Sequence, residues 1–366
     1  MIIKKKKDQL FYQKYKKIPI LLKKYSNEKF RYNLKILFII IIIWSLFSSL
    51  TKKKKKSEII KFNYFACFCA ILREENLYIR DLIAYYLDIG FDKFIIGDNN
   101  YPNVEKLSDV TQDYIKSGIL DIIEVFGTYF PLNEFFGIIY EKYKRKCAWI
   151  SFFDGDEYLR IHSEDNKLIS IKQYLSNPVF KKCESISINW LIYSDNNLLY
   201  YDNRSIYERF TSPLYKHREN RLVKSIVRGN LNKLVFTKDS SNHIPNKKLH
   251  ICNSRGKIIK RYSIYVYPPL VKYTYLMHYT TKTAEEFIKK IKRGRRINVP
   301  YNITERIKKF FFINNYTEEK LKMFEKAFNT TFPQFHNFND YIIFNHLNLV
   351  NNTRFYNENK KFNISL

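Results

Sequence analysis

The chain has little glycine or proline, 9 Gly and 10 Pro in 366 residues. That scarcity excludes collagen-like repeats and Gly/Ser-linker architectures. It has only five cysteines, Cys67, Cys69, Cys147, Cys183 and Cys252, and none forms a Cys-x-x-Cys pair. Neither a zinc site nor a dense disulfide framework is therefore signalled. Cys67 and Cys69, two apart in an apolar run, would share one strand face, where buried free thiols are expected. Helix-turn-helix, zinc-finger and RNA-binding aromatic signatures are also missing. What is abundant is apolar and basic. With 45% hydrophobic and 17% aromatic residues the chain can fill a large core, which rules out a wholly disordered protein.

The formal net charge of +29 points at first to a nucleic-acid or anionic-membrane binder without catalysis, the alternative reading. About half of that charge lies in residues 1–61, which hold 18 Lys and Arg against 3 Asp and Glu. Between two basic blocks, residues 36–50 (ILFIIIIIWSLFSSL) carry no charge. As a helix this stretch reaches roughly 22 Å, somewhat short of a ~30 Å hydrocarbon core, and snorkelling of Lys35 and Lys52 closes the gap. Twelve Lys and Arg on the N-terminal side against six on the other predict a type II single-pass anchor. No small-residue cleavage site precedes Lys52. In a eukaryote the remainder would then face the Golgi or endoplasmic reticulum lumen. Six Asn-x-Ser/Thr sequons, at Asn203, Asn302, Asn315, Asn329, Asn351 and Asn363, agree with that side of the membrane.

From residue 59 the pattern is α/β. Residues 62–72 (FNYFACFCAIL) read as a strand buried on both faces, and 74–87 as a helix ending at Gly90. Strands follow at 94–97, 119–125 and 148–153, separated by helices at 104–117 and 133–146. This alternation predicts a mostly parallel, doubly wound sheet whose ligands lie at the carboxyl ends of the strands. Three polar clusters fall there: Arg73-Glu74-Glu75, Asp98-Asn99-Asn100, and Asp154-Gly155-Asp156-Glu157. The last, following the strand in 149–153, sets hard oxygen donors in one turn, suited to Mg²⁺ or Mn²⁺, with Gly155 letting the backbone bend.

Residues 65–81 (FACFCAILREENLYIRD), Tyr85-Tyr86, Gly90, 94–100 (FIIGDNN), 149–159 (WISFFDGDEYL), 224–228 (KSIVR), His243 and 277–283 (MHYTTKT) together resemble glycosyltransferase family 92 and its relatives near glycosyltransferase family 2. The resemblance covers about 63–296. It departs from the family at Glu74, Leu82, Tyr86 and Tyr101, and leaves the Asp-x-Asp motif intact. It implies a GT-A type nucleotide-sugar-binding domain, in which an Asp-x-Asp metal clamps the donor diphosphate and a late His completes the coordination.

Residue by residue, the resemblance makes Asp154, Asp156 and His278 the metal ligands for Mn²⁺ or Mg²⁺. It places Arg73, Glu75, Asp98 and Asp154 against the nucleotide, and Lys224, Arg228 and Lys282 are further candidates for its phosphates. It implies transfer from a nucleotide-sugar donor of the uridine diphosphate class to a glycan or glycoconjugate hydroxyl, with inversion and no nucleic-acid partner. Inversion needs a separate carboxylate base, for which Asp195, Glu208 and Asp239 are the candidates. The expected organisation is a cytoplasmic tail (1–35), an anchor (36–50), a spacer (51–58), the transferase domain (59–296) and a helical C-terminal extension (297–366). That extension should include a helix at 317–328, with Thr317 as N-cap.

Overall fold

The computed structural model describes residues 61–125, 132–237, 244–259, 263–294 and 302–332, with the isolated Ile41. The expected tail, anchor and spacer lie outside the described residues apart from Ile41, as do Asp239, His243 and everything after 332. Among the described residues no helix is long and apolar enough to cross a membrane.

The apolar run after residue 62 forms β1 (Tyr64–Leu72). Its side chains alternate between two cores: Phe68 and Ala70 enter one, Cys67 and Cys69 the other. A strand covered on both faces has no use for polar residues, which is why none interrupts it. The chain continues through α1 (Ile79–Asp88), β2 (Lys93–Asp98), α2 (Gln112–Lys116), β3 (Leu120–Glu124), α3 (Leu132–Tyr143) and β4 (Cys147–Phe152). Strands β3, β2, β1 and β4 lie side by side and all parallel, as the alternation predicts.

Beyond β4 the pairing changes. The later strands are β5 (Glu157–Ile161), β6 (Ser185–Ile192), β7 (Val223–Arg228), β8 (Ile251–Asn253) and β9 (Thr274–His278). Strand β7 runs antiparallel to both β4 and β6, and β9 runs parallel to β6 but antiparallel to β5. The sheet is therefore mixed. Between β5 and β7 the helices are α4 (Ile171–Leu175) and α5 (Ile206–Arg209), five and four residues long, too short to carry the crossovers that parallel neighbours need.

Two expected helices shrink for local reasons. Helix α1 starts five residues late because Glu74 adopts a left-handed φ of 53° and its N–H donates to Asn100 Oδ1. Of the helix expected at 104–117 only α2 forms. Asp98 Oδ2 accepts the Leu107 N–H (2.8 Å) and Asp109 Oδ2 accepts the Lys106 N–H (2.8 Å). Carboxylates that take backbone donors in this way compete with helix formation.

The expectation of free thiols fails at Cys67. It is bonded to Cys147 on the neighbouring strand (Cα–Cα 6.0 Å), and a second disulfide joins Cys183 to Cys252 (Cα–Cα 5.6 Å). Cys69 alone is free, and it is buried. Spacing could not reveal these pairs, because parallel pairing brings together cysteines 80 and 69 residues apart.

The chain after β9 forms α6 (Ala284–Lys292), α7 (Ile303–Ile313) and α8 (Glu318–Phe328) around a third core that includes Phe287, Phe310 and Phe324. Thr317 caps α8 by accepting the Lys320 N–H (3.2 Å).

Candidate functional site

Between β4 and β5 the chain makes the turn Phe153-Asp154-Gly155-Asp156. Gly155 is needed there for its size. Its φ is not left-handed, but a Cβ would come within 2.5 Å of Leu72 Cδ2 at the end of β1. The turn is held from beneath by Glu157, fully buried, whose Oε2 accepts the Asp154 N–H (2.9 Å). Burial pushes the Glu157 carboxyl well above its usual range, against the opposing charge of Lys224, whose Nζ lies 3.4 Å away. From the other side the Tyr86 hydroxyl donates to Glu157 O (2.8 Å) and accepts from Leu159 N (3.0 Å), fixing the start of β5.

The β5–β9 ladder then brings the late histidine to the motif. Glu157 pairs with His278 across it, and the Tyr279 N–H donates to Asp156 O (2.9 Å). His278 Nε2 lies 3.6 Å from Asp156 Oδ1, and its ring packs 4.2 Å from the Trp190 ring. Its Nδ1 is buried without a hydrogen-bond partner among the described residues. Lys290, on α6, donates to Asp156 Oδ2 and to Thr280 O, each at 2.8 Å. Burial raises the Asp156 carboxyl, but Lys290 and His278 outweigh it and hold Asp156 well below the carboxylate range. Asp154, whose side chain is 46% exposed, pairs with the buried Lys224 at 2.6 Å. Burial depresses Lys224, yet Asp154 and Glu157 prevail and raise it.

Asp154, Asp156, His278 and Lys290 line a cleft of about 350 Å³ at the carboxyl end of β1 and β4. Its wall also carries Arg73, whose guanidinium lies 4.6 Å from the Tyr101 ring centroid. Glu75 lines it too, bonded to Arg293 (2.8 Å) and to Lys282 (3.0 Å). Burial raises Glu75, and these two cations overcome it so that the carboxyl is lowered. Arg306 and Lys309 of α7 complete a predominantly basic wall.

Of the residues read from the sequence, the cleft thus gathers Arg73, Glu75, Asp154, Asp156 and His278, with Lys224 and Lys282 paired to its carboxylates. It does not gather the other described candidates. Asp98 is buried and spends Oδ1 on Asn100 N (2.9 Å) and Oδ2 on the Leu107 loop, so it shapes the wall without lining it. Asp195 is sealed in a 2.7 Å pair with Lys320 of α8. Glu208 Oε2 accepts the Ser205 N–H (3.2 Å) at the start of α5. Arg228 donates to Cys183 O (2.7 Å) and Phe180 O (2.9 Å). Sequence reasoning missed Lys290 and Arg293, although their spacing of three at the end of an amphipathic helix puts them on one face.

For a hard divalent cation the donor chemistry fits. Two carboxylates and an imidazole are available on one rim, and His278 Nδ1 is a buried atom without a partner among the described residues. Asp156 Oδ1 and His278 Nε2 already face each other, whereas Asp154 is turned to Lys224. Among the described residues no three His, Cys, Asp or Glu side chains stand close enough together to hold a metal as placed.

No family model and no curated protein matches the chain. Among solved structures it is similar to Staphylococcus aureus TarS 1–349, with 10% identity over 72% of this chain and 80% of that one and a TM-score of 0.32. The same protein in complex with UDP-GlcNAc gives 9% identity over 72% and 81%, with a TM-score of 0.33. Rv0371c from Mycobacterium tuberculosis H37Rv gives 9% identity over 36% and 67%, with a TM-score of 0.22. At scores this low the likeness assigns no activity to this chain.

Proposed function

We propose that the chain is a GT-A type glycosyltransferase that moves a sugar from a nucleoside diphosphate donor, of the uridine class, to a hydroxyl of a glycan or glycoconjugate. The observation that carries this reading is the convergence of Asp154, Asp156 and His278 with a basic wall in one cleft at the carboxyl ends of parallel strands. A departing diphosphate carries negative charge, and Lys290, Arg293, Arg306 and Lys309 line the space where it would lie. Asp156 and His278, joined by Asp154 on release from Lys224, would hold Mn²⁺ or Mg²⁺. The ion would add Lewis-acid stabilisation of the leaving diphosphate. Arg73 and Tyr101 stack at the mouth and would flank the nucleoside.

Inverting transfer also needs a base for the acceptor hydroxyl. Of the three candidates, Asp195 is sealed in its pair with Lys320, the exposed Glu208 accepts the Ser205 N–H through Oε2, and Asp239 lies outside the described residues.

Anchoring through 36–50 with the domain in a lumen belongs to the same reading. The two disulfides support it, since such bonds persist in oxidising compartments. The sequons at Asn203, Asn302, Asn315 and Asn329 are all exposed, which fits it too.

The test is a thermal-shift titration of the protein with UDP-sugars, with and without Mn²⁺, alongside product analysis. UDP-sugar with Mn²⁺ should raise the melting temperature. Asp156→Asn should lose the Mn²⁺-dependent part while keeping the unliganded melting temperature within a few degrees. A chelator that leaves wild-type transfer at full rate would remove the metal from the scheme, and absence of any nucleotide-sugar response would remove the transferase.

A further inference from the structure

Strand β9 serves two cavities. His278 faces the cleft just described, and the alternate residues Tyr275, Met277 and Tyr279 face a second space of about 700 Å³ on the opposite side of the β5–β9 ladder. That volume falls within the roughly 300–1,000 Å³ of small-molecule sites. Its wall is aromatic: Tyr193, Tyr207, Tyr215, Tyr275 and Tyr279 all contribute rings. It is also basic, because Arg160, Arg255 and Lys272 line it and, among the described residues, no Asp or Glu does.

Arg160 sits opposite Tyr275 in the ladder, and among the described residues it forms no salt bridge with a carboxylate. Arg255 and Lys272 are exposed and lie over the face of Tyr273, at 5.5 and 4.9 Å from its centroid. Arg160 is near enough to oppose the burial-driven rise of the Tyr275 and Tyr279 phenols. The exposed rings of Tyr207 and Tyr215 offer flat apolar faces with hydroxyl tips, which suit a pyranose presenting C–H groups on one side and hydroxyls around its edge. An acyl chain would strand the half-buried Arg160 guanidinium and the phenols without partners, and a neutral sugar would leave Arg160 without a counter-charge.

We propose that this second cavity is a binding site for an anionic saccharide, a glycan segment bearing carboxylate or sulfate groups. Arg160 receives the anion, and the tyrosines carry the sugar rings. The site is separate from the donor cleft and does not depend on the transferase reading.

Calorimetric titration of the full chain with three hexasaccharides tests it: one glucuronate-containing, one sulfated and one neutral. At least one anionic hexasaccharide should bind about tenfold or more tighter than the neutral one, as a charge-assisted bidentate contact allows. Which anionic probe binds tells carboxylate from sulfate. Arg160→Gln should weaken that binding about tenfold while Arg160→Lys, which keeps the charge, weakens it less. A thermal midpoint within a few degrees of wild type in both variants shows that they fold. Equal binding of the neutral probe, an unchanged Arg160→Gln titration, displacement of the hexasaccharide by UDP, or inorganic sulfate binding as tightly as the oligosaccharide would each overturn the proposal.

Discussion

Asp195 and Lys320 show how one residue type serves structure or chemistry according to its cover. Both side chains are 1% exposed, and Lys320 Nζ also donates to Asn197 Oδ1 and Asn315 O, so the pair ties the end of β6 to the start of α8. Asp195→Asn would leave a buried ammonium with no counter-charge, at a cost of about 3–5 kcal/mol. We expect a lower denaturation midpoint with turnover per folded molecule unchanged. Asp239→Asn should behave oppositely, keeping stability and losing on the order of 10²-fold in turnover under saturating donor. If Asp195→Asn instead kills turnover at wild-type stability, the assignment of roles is reversed. In sequence Asp195 follows an apolar run as a strand-end functional residue would, and only its contact with a helix 125 residues further on distinguishes the two cases.

At the scale of elements, α6 connects the cleft to the rest of the molecule. Its first turn holds Glu286, which closes a capping box with Thr283 and accepts two bonds from Arg209, at 2.8 and 3.0 Å, and one from Tyr78 (2.7 Å). Its later turns deliver Lys290 and Arg293 to the cleft wall. Burial raises the Glu286 carboxyl, but Arg209 and Lys282 prevail and lower it from 4.5 to about 2. A folded-state value below the unfolded one means that this stabilisation is complete above pH about 4.5 and is lost as pH falls from there toward 2. The full contribution is on the order of 3 kcal/mol. Urea midpoints measured from pH 6 down to pH 3 should therefore fall more steeply for the wild type than for Glu286→Gln. Parallel slopes would show that Glu286 is not the group that titrates.

Across the whole molecule the two disulfides close loops of 80 and 69 residues. By loop-closure entropy each stabilises the fold by about 4 kcal/mol. Thiol titration of the denatured, unreduced protein should find one free cysteine, Cys69, and reduction should lower the thermal midpoint. Five reactive thiols before reduction would disprove both bonds.

Local pattern determined much of this protein. The apolar run of β1, the alternation of strands and helices as far as β4, the Thr317 cap and the acidic turn at 154–157 all follow from contacts between near neighbours, so the sequence alone displays them. It also marked Asp154, Asp156 and His278 as a set, by resemblance. Tertiary structure decided what depends on distant partners. It placed β7, β6 and β9 antiparallel or parallel by packing, because the intervening helices are too short to fix their direction. It joined cysteines far apart in the chain, spent Asp98, Asp195 and Arg228 on structural bonds, and brought Lys290 and Arg293 more than 130 residues back to the motif. Charge and hydrogen-bonding capacity are written in each side chain, but which partner satisfies them is settled only when the sheet has closed around it.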